Sequence, residues 1–312
     1  MLRDTYRNVN QMPDHFRSII CTVDFSPFSR AVLRCGIALA GKFNARLFVF
    51  HSVFFPQDPL YRTAVFEQAA LIKNRMAKAG SRIKHLMADT KIRWRSVVSC
   101  GDPVDELKVL SNREPAPLVI AASHGISGLQ RLFIGTVVER MADTLNTPML
   151  VIRPKGAEID ETHKVPVSFD TLIVCCDMKN HSRNIIHTAA AMADTINAKI
   201  YLVHALEQPI NAGIVDPTNG PYDKVQKKLM AHLARDLEKR GKEQLSDFSQ
   251  IKIVLLTGAA GDELPEYVKT SQADLVVVGV RKKRRLGKAI SGSTTDKVLR
   301  LTTCAVLTVP VK

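Results

Sequence analysis

SIICTVDFSPFSRAVLRCGIALAGKFNARLFVFHSV, Ser18 to Val53, and TLIVCCDMKNHSRNIIHTAAAMADTINAKIYLVHAL, Thr171 to Leu206, carry one pattern twice. Each has an apolar run, an Asp, a Ser-Arg pair, a helical pattern, an Asn-Ala pair, a second apolar run and a His. The spacing between the copies is constant at 153 residues (24 to 177, 51 to 204). Further along, GDPVDEL from Gly101 matches GAAGDEL from Gly258, and Gly135-Thr136 matches Gly292-Ser293, both at a spacing of 157. The second copy therefore carries four extra residues between His204 and Gly258, which fall to the loop around NAGIVDPTNGPY.

A repeat of this length is one folding unit written twice. In the first copy, short β-like runs lie near 18–23, 46–52, 92–98, 118–122 and 149–153. Helical patterns fill the gaps near 28–43, 62–88, 103–112 and 137–146. The second copy has its runs near 171–176, 199–205, 251–256, 274–279 and 305–309. Val- and Ile-rich runs alternating with amphipathic helices predict βαβ units and a parallel sheet covered on both faces. Right-handed crossovers make each copy a doubly wound α/β layer. The expected domains are 1–154 and 167–312, joined by the polar stretch RPKGAEIDETHKVPVSFD, Arg153 to Asp170.

Composition agrees. The 312 residues are 46% apolar, with 16 Gly and 15 Pro, which is globular rather than low-complexity. No apolar run is long enough to span a bilayer, and the polar N-terminus does not read as a secretory signal, so the expected compartment is the cytoplasm. The six cysteines are scattered, mostly within apolar runs, and are expected to be buried thiols. Cys175 and Cys176 are adjacent in a strand and should face opposite ways. The net charge of +14 is dispersed over helices, except for RKKRR at Arg281 to Arg285. That cluster reads as a solvated loop. Without a helix-turn-helix pattern, and with 6% aromatics, nucleic acid is not an expected partner.

In an open parallel sheet a ligand lies beyond the carboxyl ends of the strands, where the winding reverses. Asp24 follows the first strand and Ala122 to Gly125 follow the fourth. If these strands are neighbours, both segments border one crevice. The stretch ASHGISGLQRLFIGT, Ala122 to Thr136, ends where a helix begins. A helix start offers unpaired amides and partial positive charge to a phosphate, and Thr136 adds a hydroxyl. The plainer alternative is that Gly125 and Gly128 shape a turn and Thr136 caps a helix. His51 and His204 end the second strand of each copy and read as packing residues, whereas His124 stands where it could touch a ligand. No Walker, dinucleotide or hydrolase-elbow motif is present.

The succession of Asp, Ser, Asn-Ala, His, Gly-Asp-Pro, Ser-His-Gly and, after a gap of nine, Gly-Thr closely resembles the universal stress protein family, here as a tandem member. The resemblance implies two five-stranded parallel sheets of the adenine-nucleotide alpha-hydrolase-like kind, pairing through their last strands as an intramolecular pseudo-dimer, with further homodimerisation left open. In the nucleotide-binding branch of that family, G-x2-G-x9-G-[ST] holds the phosphates of ATP and an Asp after the first strand meets the base or ribose side. By that resemblance the first copy offers Asp24, Ala122 for the first Gly, Gly125, Gly135 and Thr136. The second offers Asp177, Gly279, Lys282 in place of the second Gly, Gly292 and Ser293, with Arg281 as an added cation. Each copy breaks the pattern once, and the first is expected to be the better site. The implied cofactor is ATP, with or without Mg2+, or none; the implied role is nucleotide binding in a stress response rather than catalysis. The alternatives are a degenerate scaffold that binds no nucleotide and a slow ATPase.

Overall fold

The computed structural model describes residues 15–54, 65–123, 135–153, 169–177, 182–206, 221–244, 251–281 and 294–311. The first half runs β1 (Ser18–Thr22), α1 (Phe28–Phe43), β2 (Arg46–Val53), α2 (Val65–Leu86), β3 (Trp94–Cys100), α3 (Pro103–Arg113), β4 (Pro117–Ala122), α4 (Thr136–Thr144) and β5 (Met149–Ile152). The second runs β6 (Thr171–Cys175), α5 (Ser182–Ile196), β7 (Lys199–Leu206), α6 (Pro221–Gln244), β8 (Ile251–Thr257), α7 (Ala260–Thr270), β9 (Leu275–Arg281), α8 (Thr294–Leu301) and β10 (Ala305–Val311).

The repeated sequence signals have local physical causes. The Asn of each Asn-Ala pair stops a helix: Asn44 and Asn197 take left-handed conformations, φ 49° and 58°. The Asn44 amide closes on the carbonyls of Ala40 and Gly41, as a left-handed C-cap does. Gly101 and Gly258 turn β3 into α3 and β8 into α7 at φ 148° and 137°, a region that side chains disfavour.

All strands form one sheet in the order β3-β2-β1-β4-β5-β10-β9-β6-β7-β8. Within each half the strand pairs are parallel. The halves join where β5 and β10 run antiparallel, Val306 opposite Val151, Leu307 opposite Leu150 and Thr308 opposite Met149. Thr308 Oγ1 also donates to the Met149 carbonyl at 3.2 Å. One face carries α1, α2, α5 and α6, through residues such as Leu39, Ile83, Ile186 and Leu237. The other carries α3, α4, α7 and α8, through Leu107, Met141, Leu264 and Leu299. The sheet is thus buried on both sides, and the two halves aim their carboxyl strand ends in opposite directions.

Cys21, Cys35, Cys176 and Cys304 are buried thiols, Cys175 is half-buried and Cys100 exposed. Burial pushes the Cys35 thiol up to about 12 and also raises the Cys21 thiol, with Cys35 adding to the effect there. Cys175 and Cys176 pack on opposite faces of the sheet. No helix among the described residues is long and apolar enough to cross a membrane.

Candidate functional site

The winding reverses between β1 and β4, which pair in register from Ser18↔Pro117 to Cys21↔Ile120. Beyond their carboxyl ends lies a cavity of about 510 Å³, within the range that holds a small-molecule ligand. Asp24 stands at its β1 side, Ala122 at its β4 side, and Gly135 and Thr136 at the start of α4. His51 and Ser52 close the β2 end, while Val32, Val138 and Met141 supply apolar lining. Four residues separated by up to 112 positions of chain therefore share one crevice.

Among the described residues, Asp24 is held through one oxygen. Its Oδ1 accepts from the Ser26 amide at 2.9 Å and from Ser29 Oγ at 3.0 Å. This turn sets the carboxylate and starts α1. His51 Nδ1–H donates to the Val23 carbonyl at 2.7 Å, which leaves Nε2 as an acceptor in the neutral ring. His204 makes the same contact with the Cys176 carbonyl at 2.7 Å. Both histidines thus hold the backbone just before the acidic residue, and His51 also lines the crevice. Phe25 packs at a tilt against His51, 4.5 Å between centroids and 48° between planes, and the guanidinium of Arg82 lies 4.1 Å from the Phe25 centroid. Nothing in the repeat pattern announced this packing.

The loop after β4 leaves at Ser123 and returns at Gly135, whose amide donates to the Ser123 carbonyl at 3.0 Å. Gly135, not Thr136, is the N-cap of α4, at φ −59° and ψ 138°. Thr136 and Val137 are then the first helical residues, whose amides have no carbonyl of their own helix to bond. Among the described residues, a Cβ on Gly135 would touch only the Ser123 carbonyl oxygen, at 3.6 Å. Packing among the described residues therefore leaves room for a side chain here. His124 and Gly125 lie outside the described residues, as do Lys282, Gly292 and Ser293.

The second half keeps one contact of the acidic residue and changes its surroundings. Asp177 Oδ1 accepts from Ser182 Oγ at 2.8 Å, as in the first half, but Oδ2 is held by Arg281 Nη2 at 2.8 Å. Gly279 has a packing reason to lack a side chain: a Cβ there would come within 2.7 Å of Ile185 Cδ1. The matching pair in the first half is Ala122 with Val32, so one methyl has moved from helix to strand. Sequence reasoning missed this exchange, as it missed the apolar lining from Val32, Val138 and Met141. These residues look like ordinary core until the strand order is known.

A doubly wound parallel sheet repeated in tandem, with a crevice at the β1/β4 reversal, defines a class of two-lobed α/β proteins with a cleft suited to small molecules. The model of the universal stress protein family matches residues 15–153 and again 168–310, and this chain belongs to that family. It is similar to universal stress protein MJ0531 of Methanocaldococcus jannaschii, 23% identical over 145 residues, covering 46% of this chain and 85% of that one. It is similar to universal stress protein YxiE of Bacillus subtilis, 23% identical over 155 residues, covering 44% and 99%. A solved universal stress protein from Archaeoglobus fulgidus shares the fold, with a TM-score of 0.66 and 14% identity, over 94% of this chain and 98% of that one.

Proposed function

We propose that the first half binds an adenine nucleotide, ATP above all, and that binding sets the state of a regulatory module in a stress response. The observation that carries this reading is the shared crevice of about 510 Å³, which Asp24 and the Gly135-Thr136 helix start both line. A carboxylate accepts hydrogen bonds from ribose hydroxyls, and a helix N-terminus favours phosphates. The apolar floor of Val32, Val138 and Met141 suits a base. The second half is proposed as the weaker or silent lobe, because Arg281 already satisfies Asp177.

Calorimetric titration of the full chain with ATP tests the proposal. Wild type should bind about one equivalent. Asp24→Ala and Gly135→Trp should each weaken binding by at least about tenfold, while Arg281→Ala leaves it unchanged. Equal affinity across wild type, Asp24→Ala and Gly135→Trp would overturn it in favour of a scaffold that binds no nucleotide in this crevice.

A further inference from the structure

A second cavity, of about 890 Å³, opens at the other end of the first half. It lies across the amino ends of β2 and β3 and the close of α1, whereas the crevice lies beyond the carboxyl ends of β1 and β4. Arg46, Arg93 and Arg95 line it, and among the described residues no acidic side chain does. Arg46 meets Glu114 at 2.7 Å, but Arg93 and Arg95 have no carboxylate partner among the described residues. Guanidiniums gathered around one opening repel one another, and an anion of several charges relieves that repulsion.

Strand alternation explains the arrangement. Arg95 is in register with Phe48, and Arg46 precedes Phe48 by two positions, so both arginines stand on one face of the sheet. The Arg46 guanidinium lies 5.7 Å from the Phe48 ring centroid. Trp94, in register with Leu47, packs against the core of the other face and also lines the cavity.

The second half shows which of these residues the fold itself requires. Its strands keep the same register, with Ile200 opposite Ile251 as Leu47 is opposite Trp94. There too a cation lies by a ring, Lys252 Nζ 5.5 Å from the Tyr201 centroid. That feature belongs to the fold. Arg93 and Trp94 are particular to the first half, since the matching residues are Gln250 and Ile251.

We propose that this cavity takes a small polyphosphorylated anion, at a site separate from the crevice. A guanidinium presents paired donors that match phosphate oxygens. The volume is that of a small-molecule site. The proposal does not depend on nucleotide binding in the crevice.

Trp94 is the one tryptophan of the chain, so its fluorescence reports this cavity and not the crevice. The test is fluorescence titration of the full chain with tripolyphosphate, fructose 1,6-bisphosphate and citrate. Tripolyphosphate should change Trp94 emission saturably, with the same affinity in wild type and Asp24→Ala. The tighter of the two phosphate compounds tells an inorganic chain from an organic ester as the source. Citrate, which carries charge without phosphate, should bind at least about tenfold more weakly than that compound. Arg93→Ala/Arg95→Ala should weaken the phosphate compounds by at least about tenfold. Lys228→Ala/Lys239→Ala removes two exposed charges from α6 and should leave affinity unchanged. The proposal is overturned by an emission that neither phosphate compound alters, by citrate binding as tightly, or by a two-arginine variant that binds like wild type. Equal weakening in the two-lysine variant, which would show a response to net charge alone, also overturns it, as does loss of binding in Asp24→Ala. Urea denaturation of each variant separates a lost fold from a lost contact.

Discussion

At the scale of the residue, the two copies have divided the same space differently. Ala122 and Val32 both line the crevice in the first half; Gly279 and Ile185 meet in the second. A Cβ on Gly279 would fall 2.7 Å from Ile185 Cδ1 and 3.3 Å from Val311 Cγ1, both tighter than ordinary contact. Overpacking of a core by one methyl costs about 1–3 kcal/mol. Gly279→Ala should therefore lower stability by about 1–2 kcal/mol in urea denaturation. Ile185→Val alone should cost about 1 kcal/mol by leaving a gap. The double variant rebuilds the first-half arrangement and should lie above the sum of the two single losses, because contacting sites couple. Strict additivity would show that the two side chains do not share the space. The same reasoning explains why a matched glycine is a poor guide to a ligand. Gly279 was legible as a phosphate-loop position by resemblance, yet its neighbours give it a packing role of its own.

At the scale of the element, the crevice is framed by the start of α3 and the first turns of α4. Asp102 caps α3, its Oδ1 accepting from the Val104 and Asp105 amides at 2.9 and 3.2 Å. Arg140 of α4 grips both of its oxygens at 3.0 Å. Pro103, the first residue of α3, lines the cavity. The Arg140 hydrogen bond holds the Asp102 carboxyl below its ordinary value of 3.8, with help from the two amides. A depressed carboxyl stabilises the fold above its unfolded value and loses that contribution as pH falls through the folded one. Asp102→Asn keeps a capping oxygen and removes the charge, so its deficit against wild type isolates the charged part. That deficit should be a few tenths to about 1 kcal/mol at pH 7, since Arg140 is half exposed. It should shrink below about pH 4. Urea denaturation at pH 7 and pH 3 checks this, and a deficit that does not change with pH would show the pair to be idle. The second half keeps the tie with different residues, Lys297 Nζ to Asp262 at 2.6 Å. Helix and strand order was legible because periodicity and the repeat reinforce each other. The third strand was read at 92–98 and lies at Trp94–Cys100. Its alternation is blurred by Arg95 and Ser96 on an edge strand whose outer side faces solvent.

At the scale of the whole molecule, two similar halves meet at one seam through unlike residues. Sequence alone gave strand identity but not neighbourhood. The β5–β10 pairing came from the resemblance, since no periodic pattern encodes which strand lies beside which. The charges at the seam repeat only in part. Glu139 and Asp296 are matched positions, and Arg300 bridges both, to Glu139 Oε1 at 2.6 Å and to Asp296 Oδ1 at 2.9 Å. The residue matching Arg300 in the first half is Asp143. Pairing two first halves across this seam would gather carboxylates without that cation, so the charge pattern favours unlike halves. Arg300→Met leaves Glu139, 21% exposed, and Asp296, 8% exposed, facing each other without their bridge. The expected loss is about 1–3 kcal/mol. Arg300→Asp, which installs the first-half residue, should cost more, because a third carboxylate joins the first two. Combining it with Glu139→Arg returns a cation to the seam and should recover part of the loss. Urea denaturation of the full-length variants measures all three. If Arg300→Asp unfolds no more easily than Arg300→Met, and Glu139→Arg restores nothing, the seam is held by the β5–β10 strand contact alone and the unlike charges have no part in choosing the partner.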